Sequence, residues 1–267
     1  MLILLLQRII GLGIGVFGLF VFVLLALTGE IGFQIGRARG LAAAQIEKES
    51  SGVPTVTTGM LGLVAFTLAV TIGIAEDRFE ARRHATLDEA NTIGTAWLRT
   101  GLAGPSGKPI AGLIEDYARG RLAYLVATSP EAAAAALART NTLQNAIWQR
   151  TLPMLGGMPP PLASALVSSL NDMFDASLVQ HYSMESGAPN ETMLMLLAGA
   201  MRAAGALGYQ MGLGGRRQLV LTLLLIGMLS GAMAMIIDFN RPRGGFIHID
   251  TQPLEWTIGG FASSSAR

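Results

Sequence analysis

The chain has no cysteine, which excludes disulfides, thiolate metal sites and a cysteine nucleophile. Charge is scarce as well. Only 14% of the 267 residues are charged, against about 25% in a typical soluble domain, and the net charge is +1. That balance creates no field to gather nucleic acid, so a nucleic-acid partner is excluded. The constellations of enzymes are missing too. His84, His181 and His248 stand far apart, and none has a partner at a metal-ligand spacing such as H-E-x-x-H. Asp172 and Asp175 lie one turn apart in "NDMFD" but lack a third ligand nearby, so solvated or ion-paired carboxylates explain them better than a cation site or an acid–base pair. "GLGGRR" has glycines but neither a P-loop lysine nor a preceding strand. No serine stands in a G-x-S-x-G elbow. The sequence predicts no enzyme, no metal site and no cofactor.

What it does have is apolar residues, 51% of the chain, with a mean hydropathy of +0.48. These values indicate an integral membrane protein, whose first partner is the lipid bilayer. About 20 apolar residues cross the hydrocarbon core, and four stretches qualify. Residues 9–29 carry no charge. Residues 54–75 open with Pro54, which suits a first helical turn because its missing N–H has no intrahelical partner there. Residues 191–211 hold Arg202 near their centre, at a cost of at least about 2.5–3.5 kcal/mol. Residues 218–237 are uncharged. A cleaved signal peptide competes for the first stretch, but the run exceeds an h-region of about 7–15 residues, and "MLILLL" is not a basic start.

The predicted organisation is therefore two transmembrane helices in 1–75, a soluble helical bundle in 76–188, a transmembrane hairpin in 189–238 and an extended C-terminal tail in 239–267. Four spans put 76–188 and both termini on one side. Six basic residues flank the spans there (Arg8, Arg78, Arg82, Arg83, Arg241, Arg243) and five on the other side (Arg37, Arg39, Lys48, Arg216, Arg217). The positive-inside rule consequently does not fix the orientation.

The 76–188 segment is rich in Ala, Leu, Arg, Glu and Gln, has no alternating stretch, and is broken by Pro and Gly at 104–109 and 153–161. It predicts about four helices. The first continues from the second span to about Arg99, with Phe79, Thr86, Ala90, Ile93 and Trp97 on one face and Asp88, Glu89 and Arg99 elsewhere. The second covers about 110–128. The third starts at the N-cap Ser129 with Pro130 and Glu131 behind it. The fourth covers 161–182. Past the fourth span, "FIHI" is the one strand candidate, and "GGFASSSAR" has a disordered composition. Small residues four apart, Gly11 and Gly15, Gly32, Gly36 and Gly40, and Gly227 and Gly231, permit close helix contact.

"EDRFEARRHATLDEANTIGTAWLRT", "IEDYARGRLAY", "TNTLQNAIWQR", "SSLNDMFDASL" and "IIDFNRPRGGFIHIDTQPL" resemble, in order and spacing, the successive signatures of a bacterial family of bestrophin-like membrane proteins. That family is distantly similar to bestrophin ion channels. The resemblance spans about 55–254 and rests most on the first and last signatures. It implies an all-α membrane protein, homo-oligomeric, with a helical cytoplasmic part in the bacterial inner membrane and ions as permeant ligands. By this resemblance the second helix lines a central axis, which makes Thr67, Thr71, Glu76 and Glu80 pore-lining candidates. The calcium-binding acidic cluster of animal bestrophins is not recognisable. Arg202 departs from the family pattern, and an intramembrane arginine has to face water, a bundle interior or a carboxylate, for which Glu30 and Asp238 are the nearest span-end choices. Arg78, Arg82, Arg83, Asp238, Arg241 and Arg243 mark the membrane interface. The competing function is a non-conducting membrane scaffold or regulator whose soluble bundle binds a partner.

Overall fold

The computed structural model describes residues 11–39, 52–187, 190–243 and 245–265, all of them helical or irregular, with no strand among them. Among the described residues eight α-helices follow one another: α1 (Ile14–Ala38), α2 (Val53–Thr100), α3 (Lys108–Leu125), α4 (Pro130–Leu155), α5 (Pro160–Glu185), α6 (Asn190–Leu213), α7 (Leu219–Asn240) and α8 (Gln252–Ser265). The fold is all-α, with four helices long and apolar enough to cross a membrane and a helical bundle inserted between the second and the third. Contacts divide the chain into two compact units. One comprises Met1–Asp77, Gly187–Arg241 and Gly245–Ile247; the other comprises Arg78–Ser186, Pro242–Gly244 and His248–Arg267.

The first unit is the membrane unit. Phe17, Val21 and Leu25 of α1, Val64, Leu68 and Ala75 of α2, Leu196, Leu197 and Ala200 of α6, and Ile226, Met233 and Ile236 of α7 make its core. Large apolar side chains also cover its outside, among them Leu19, Leu63, Phe66, Val220 and Met228. Water would penalise such a surface, and acyl chains do not. α1 runs to Ala38, past Gly29, where the uncharged stretch of the sequence ends. The added turns are held by backbone contact with α6. A Cβ on Gly32 would strike the Gly205 carbonyl, on Gly36 the Tyr209 carbonyl, on Gly208 the Gly29 carbonyl, and on Gly212 the Phe33 carbonyl. Gly32 and Gly36 thus use their four-residue spacing as expected. Gly15 and Gly231 have open space around them, and Gly227 meets only a Phe22 ring carbon at 3.9 Å; Gly40 lies outside the described residues.

The second unit is the inserted bundle. α2 is a single helix of 48 residues, so the charged block Glu76–Arg83 does not interrupt it. Its last turns enter the second core with Ile93 and Ala96, joined by Ile110, Ile114 and Tyr117 of α3, Ile147 of α4, and Leu166, Leu170 and Met173 of α5. A 3₁₀ segment, Gly101–Gly107, turns the chain, with Gly104 at φ 60°, a conformation glycine adopts without steric cost. Ser129 caps α4 as its sequence predicted, its Oγ accepting from the Ala132 N–H at 3.1 Å.

The tail differs from expectation. Among the described residues the tail is no extended strap over its whole length: "FIHI" is no strand, and α8 carries the chain through Ser265. The physical reason is legible in retrospect. Asp250 Oδ1 accepts from the Gln252 N–H at 2.9 Å, and Thr251 Oγ1 donates to Glu255 at 2.7 Å, which together close the start of a helix around Pro253. Leu254, Ile258 and Phe261 then share one face. Leu254 and Phe261 are buried, and Phe261 stacks on Trp97 with centroids 4.9 Å apart.

Candidate functional site

Two regions carry polar chemistry, one along α2 and α6 in the membrane unit and one inside the bundle. In the membrane stretch of α2, Thr57, Val64, Leu68, Thr71 and Ala75 are buried and face α2's own core, while Gly59, Leu63, Phe66, Val70 and Ile74 are exposed. Phe66 is 68% exposed. Among the predicted pore-lining residues, Thr71 is buried, with its hydroxyl donating to the Thr67 carbonyl at 2.7 Å, and half-buried Thr67 donates to the Leu63 carbonyl at 2.8 Å. Both hydroxyls return to their own helix. Glu76 is exposed. Glu80 pairs with Arg83 at 3.0 Å and lies 3.3 Å from His84.

Arg202 is exposed on α6 and forms no ion pair among the described residues. Neither carboxylate suggested by the sequence is its partner. Glu30 is held by Arg217 through two hydrogen bonds of 3.0 and 3.1 Å, and the Arg217 guanidinium lies 4.2 Å over the Phe33 ring. Asp238 is buried and accepts from the Phe246 N–H at 2.9 Å. Gly245 makes that approach possible, because a Cβ there would collide with the Asp238 carboxylate.

Sequence reasoning missed the polar centre of the bundle. Glu89 and Arg121 are fully buried and ion-paired, Arg121 Nε facing Glu89 Oε1 and Nη2 donating to Oε2 at 3.3 Å. Arg121 Nη2 also donates to Gln180 Oε1 at 2.7 Å and to the Ser177 carbonyl at 3.3 Å. Gln144 bridges the Tyr117 and Ser177 hydroxyls at 3.1 and 3.0 Å. Burial pushes the Glu89 carboxyl above its ordinary range, with Arg121 pulling the other way. Burial also opposes the Arg121 charge, but Glu89 outweighs it and holds the guanidinium protonated. Such a network fixes the register of four helices (α2, α3, α4 and α5) more firmly than an apolar contact would.

Of the remaining interface charges, Arg82 and Arg243 reach the end of α5. Arg82 is 1% exposed and donates to the Ser186 carbonyl at 3.4 Å; burial, and then the charge of Arg78, make its guanidinium less basic than usual. Arg243 lies 4.7 Å over the Tyr124 ring, donates to the Tyr124 carbonyl at 3.5 Å and stands 3.9 Å from Glu185. Tyr124 in turn shares a 2.7 Å hydrogen bond with His181 Nδ1. Arg241 is half-buried. No three Asp, Glu or His residues among those described converge on a metal-sized site.

No family model matches the chain, and no curated protein matches it. Its fold does match a solved structure, that of a mutant bacterial bestrophin homolog from Klebsiella pneumoniae, with a TM-score of 0.67 over 94% of this chain and 99% of that one, at 13% identity. The order of the helices, the four membrane spans and the bundle inserted between the second and third are therefore those of a known architecture. This chain is an all-α membrane protein of bestrophin-like fold.

Proposed function

We propose that the chain assembles as a homo-oligomeric ion channel with α2 lining a central axis. The fold likeness over nearly the whole chain carries this reading, together with the resemblance of its sequence signatures to those of bestrophin-like proteins. The free face of α2 supports it. Leu63, Phe66, Val70 and Ile74 recur at spacings of three and four and are exposed, and Glu76 and Asp77 follow on the same helix. Repeated around an axis, an apolar ring at Phe66 closes a pathway by dewetting, and acidic rings below it concentrate cations. Thr67 and Thr71, bonded to their own helix, contribute little to such a lining. The bundle faces the cytoplasm of a bacterial inner membrane in this proposal.

Flux through liposomes containing the purified, assembled protein tests the reading. Salt-dependent flux that rises when Phe66 is replaced by Ala supports it, and no flux from a correctly assembled oligomer overturns it. Arg202→Met reports on the intramembrane charge, because an arginine facing a water-filled path favours anions. Anion-over-cation permeability falls on substitution if Arg202 faces the path, and an unchanged reversal potential removes it from the lining. A second reading is favoured by Leu178, Val179 and Tyr182, exposed together on α5: a non-conducting scaffold whose bundle binds a partner. Its signature is zero flux with a partner retained by wild type and lost on Tyr182→Asp.

A further inference from the structure

Beside the glycine seam of α1 and α6, the membrane unit holds an apolar cavity of about 370 Å³. Val23, Ala26 and Leu27 of α1, Met211 of α6, and Leu223 and Ile226 of α7 form its walls. The Thr222 hydroxyl, also in the wall, donates to the Gln218 carbonyl of its own helix at 3.0 Å. One end of the cavity is charged. Glu30 and Arg217 stand there, joined by hydrogen bonds of 3.0 and 3.1 Å. Glu30 is the first charged residue after the uncharged stretch 9–29, and Arg217 immediately precedes the uncharged stretch 218–237. The ion pair therefore marks the level at which α1 and α7 leave the hydrocarbon core. From that level the cavity reaches back along α1 to Phe22, a depth of about 12 Å. Arg217 is exposed, and the Phe33 ring, 4.2 Å from its guanidinium, steadies it at the mouth. A guanidinium has more N–H donors than the two that Glu30 accepts.

We propose that this cavity takes one acyl chain of a bilayer phospholipid, whose phosphate accepts hydrogen bonds from Arg217 at the mouth. The apolar walls reject a polar ligand, and water does not fill a cavity that offers it no hydrogen bonds. Acyl chains are the medium that reaches it. A helix of a second copy does not fit inside: about 10 Å across, it occupies on the order of 900 Å³ over the same depth, more than twice the space present. The remaining Arg217 donors face the level of the headgroups, where a phosphate offers several charged oxygens. Glu30 can keep its place on the same guanidinium. The site stands whether or not the protein conducts.

Native mass spectrometry of the purified full-length protein, titrated with lipid in neutral detergent, is the test, because it reads bound lipid and oligomeric state together. The probes are palmitoyl-oleoyl phosphatidylethanolamine and palmitoyl-oleoyl glycerol, which has the same chains without phosphate. The phospholipid saturates at one per chain, and the diacylglycerol binds about tenfold more weakly, the loss of one hydrogen bond to a charged group. Ala26→Trp fills the cavity and removes saturable binding. Val220→Trp, on the exposed face of α7 outside the cavity, leaves it intact. Where Ala26→Trp fails to fold, Leu223→Trp closes the cavity from α7 with the same loss. Arg217→Gln brings the phospholipid down to the level of the diacylglycerol and leaves the diacylglycerol unchanged, and Arg217→Lys retains part of the preference. No saturable binding to the wild type, or equal affinities for the two probes, overturns the proposal. So does an Ala26→Trp protein that binds like wild type. A tryptophan variant that folds but changes its oligomeric state assigns the cavity to a contact between copies and overturns it as well.

Discussion

At the scale of residues, the bundle is built around charges that an amphipathic reading of α2 places on the wrong side. The face predicted for this helix, Phe79 to Trp97, includes Thr86, Ala90 and Ile93, and all three are buried. The completely enclosed stripe is Arg82, Thr86, Glu89, Ile93, Ala96 and Thr100, at spacings of four and three, so it keeps the helical period and shifts by one residue. Glu89 lies one residue off the face that the sequence predicts, although it is fully buried. Its partner was nevertheless readable, since Tyr117, Arg121 and Tyr124 continue the apolar positions Ile110 and Ile114 on one face of α3, and an arginine on such a face requires a carboxylate. Glu89→Gln leaves the Arg121 charge buried without its counter-charge and destabilises the bundle by about 3–5 kcal/mol in denaturant unfolding. The double replacement Glu89→Leu, Arg121→Met restores much of that loss, because well-packed apolar residues match a buried ion pair. A double variant no more stable than Glu89→Gln would show that the pair holds the helices through more than its own charges.

At the scale of elements, the contact of α1 with α6 and the docking of α8 have different origins. The first depends on glycine. Gly208→Ala forces two backbones apart and costs about 1–3 kcal/mol, the usual range for overpacking, whereas Gly15→Ala, with open space around it, stays within about 0.5 kcal/mol; unfolding in detergent compares the two. The sequence showed the spacing of Gly32 and Gly36 but not their partners, because glycine pairs on distant helices leave no local pattern. The docking of α8 depends on side chains, and Leu254→Ala lowers the stability of the bundle by about 2–5 kcal/mol. A Tm unchanged by that substitution would show that α8 contributes nothing to the core. The tail was misjudged because its small Gly, Ala and Ser residues read as disorder, while the capping residues Asp250 and Thr251 and the spacing of Leu254, Ile258 and Phe261 pointed to a helix.

At the scale of the whole molecule, the four spans were legible because three of them contain no charged residue at all, a signal that packing cannot blur. What the spans face was not legible. The exposed apolar residues of α2 read equally well against lipid, against another subunit or along a dewetted path, since all three are dry. Orientation was equally silent in the flanking charges, and the lack of cysteine makes it measurable. Single cysteines at Ser168 and at Gly214, labelled in intact cells with a membrane-impermeant maleimide, are expected to be blocked at 168 and reactive at 214 for a cytoplasmic bundle. The reverse pattern would invert the topology. The glycine seam also has a consequence in time. It joins residues 29–36 to residues 205–212, about 175 positions later in the chain. Synthesis at about 5–20 residues per second leaves α1 in the bilayer for roughly 10–35 s before α6 exists. During that interval α1 meets only lipid, α2 or other nascent proteins, and the exposed glycine backbone of 29–36 is where an insertion factor or a misassembled neighbour would bind.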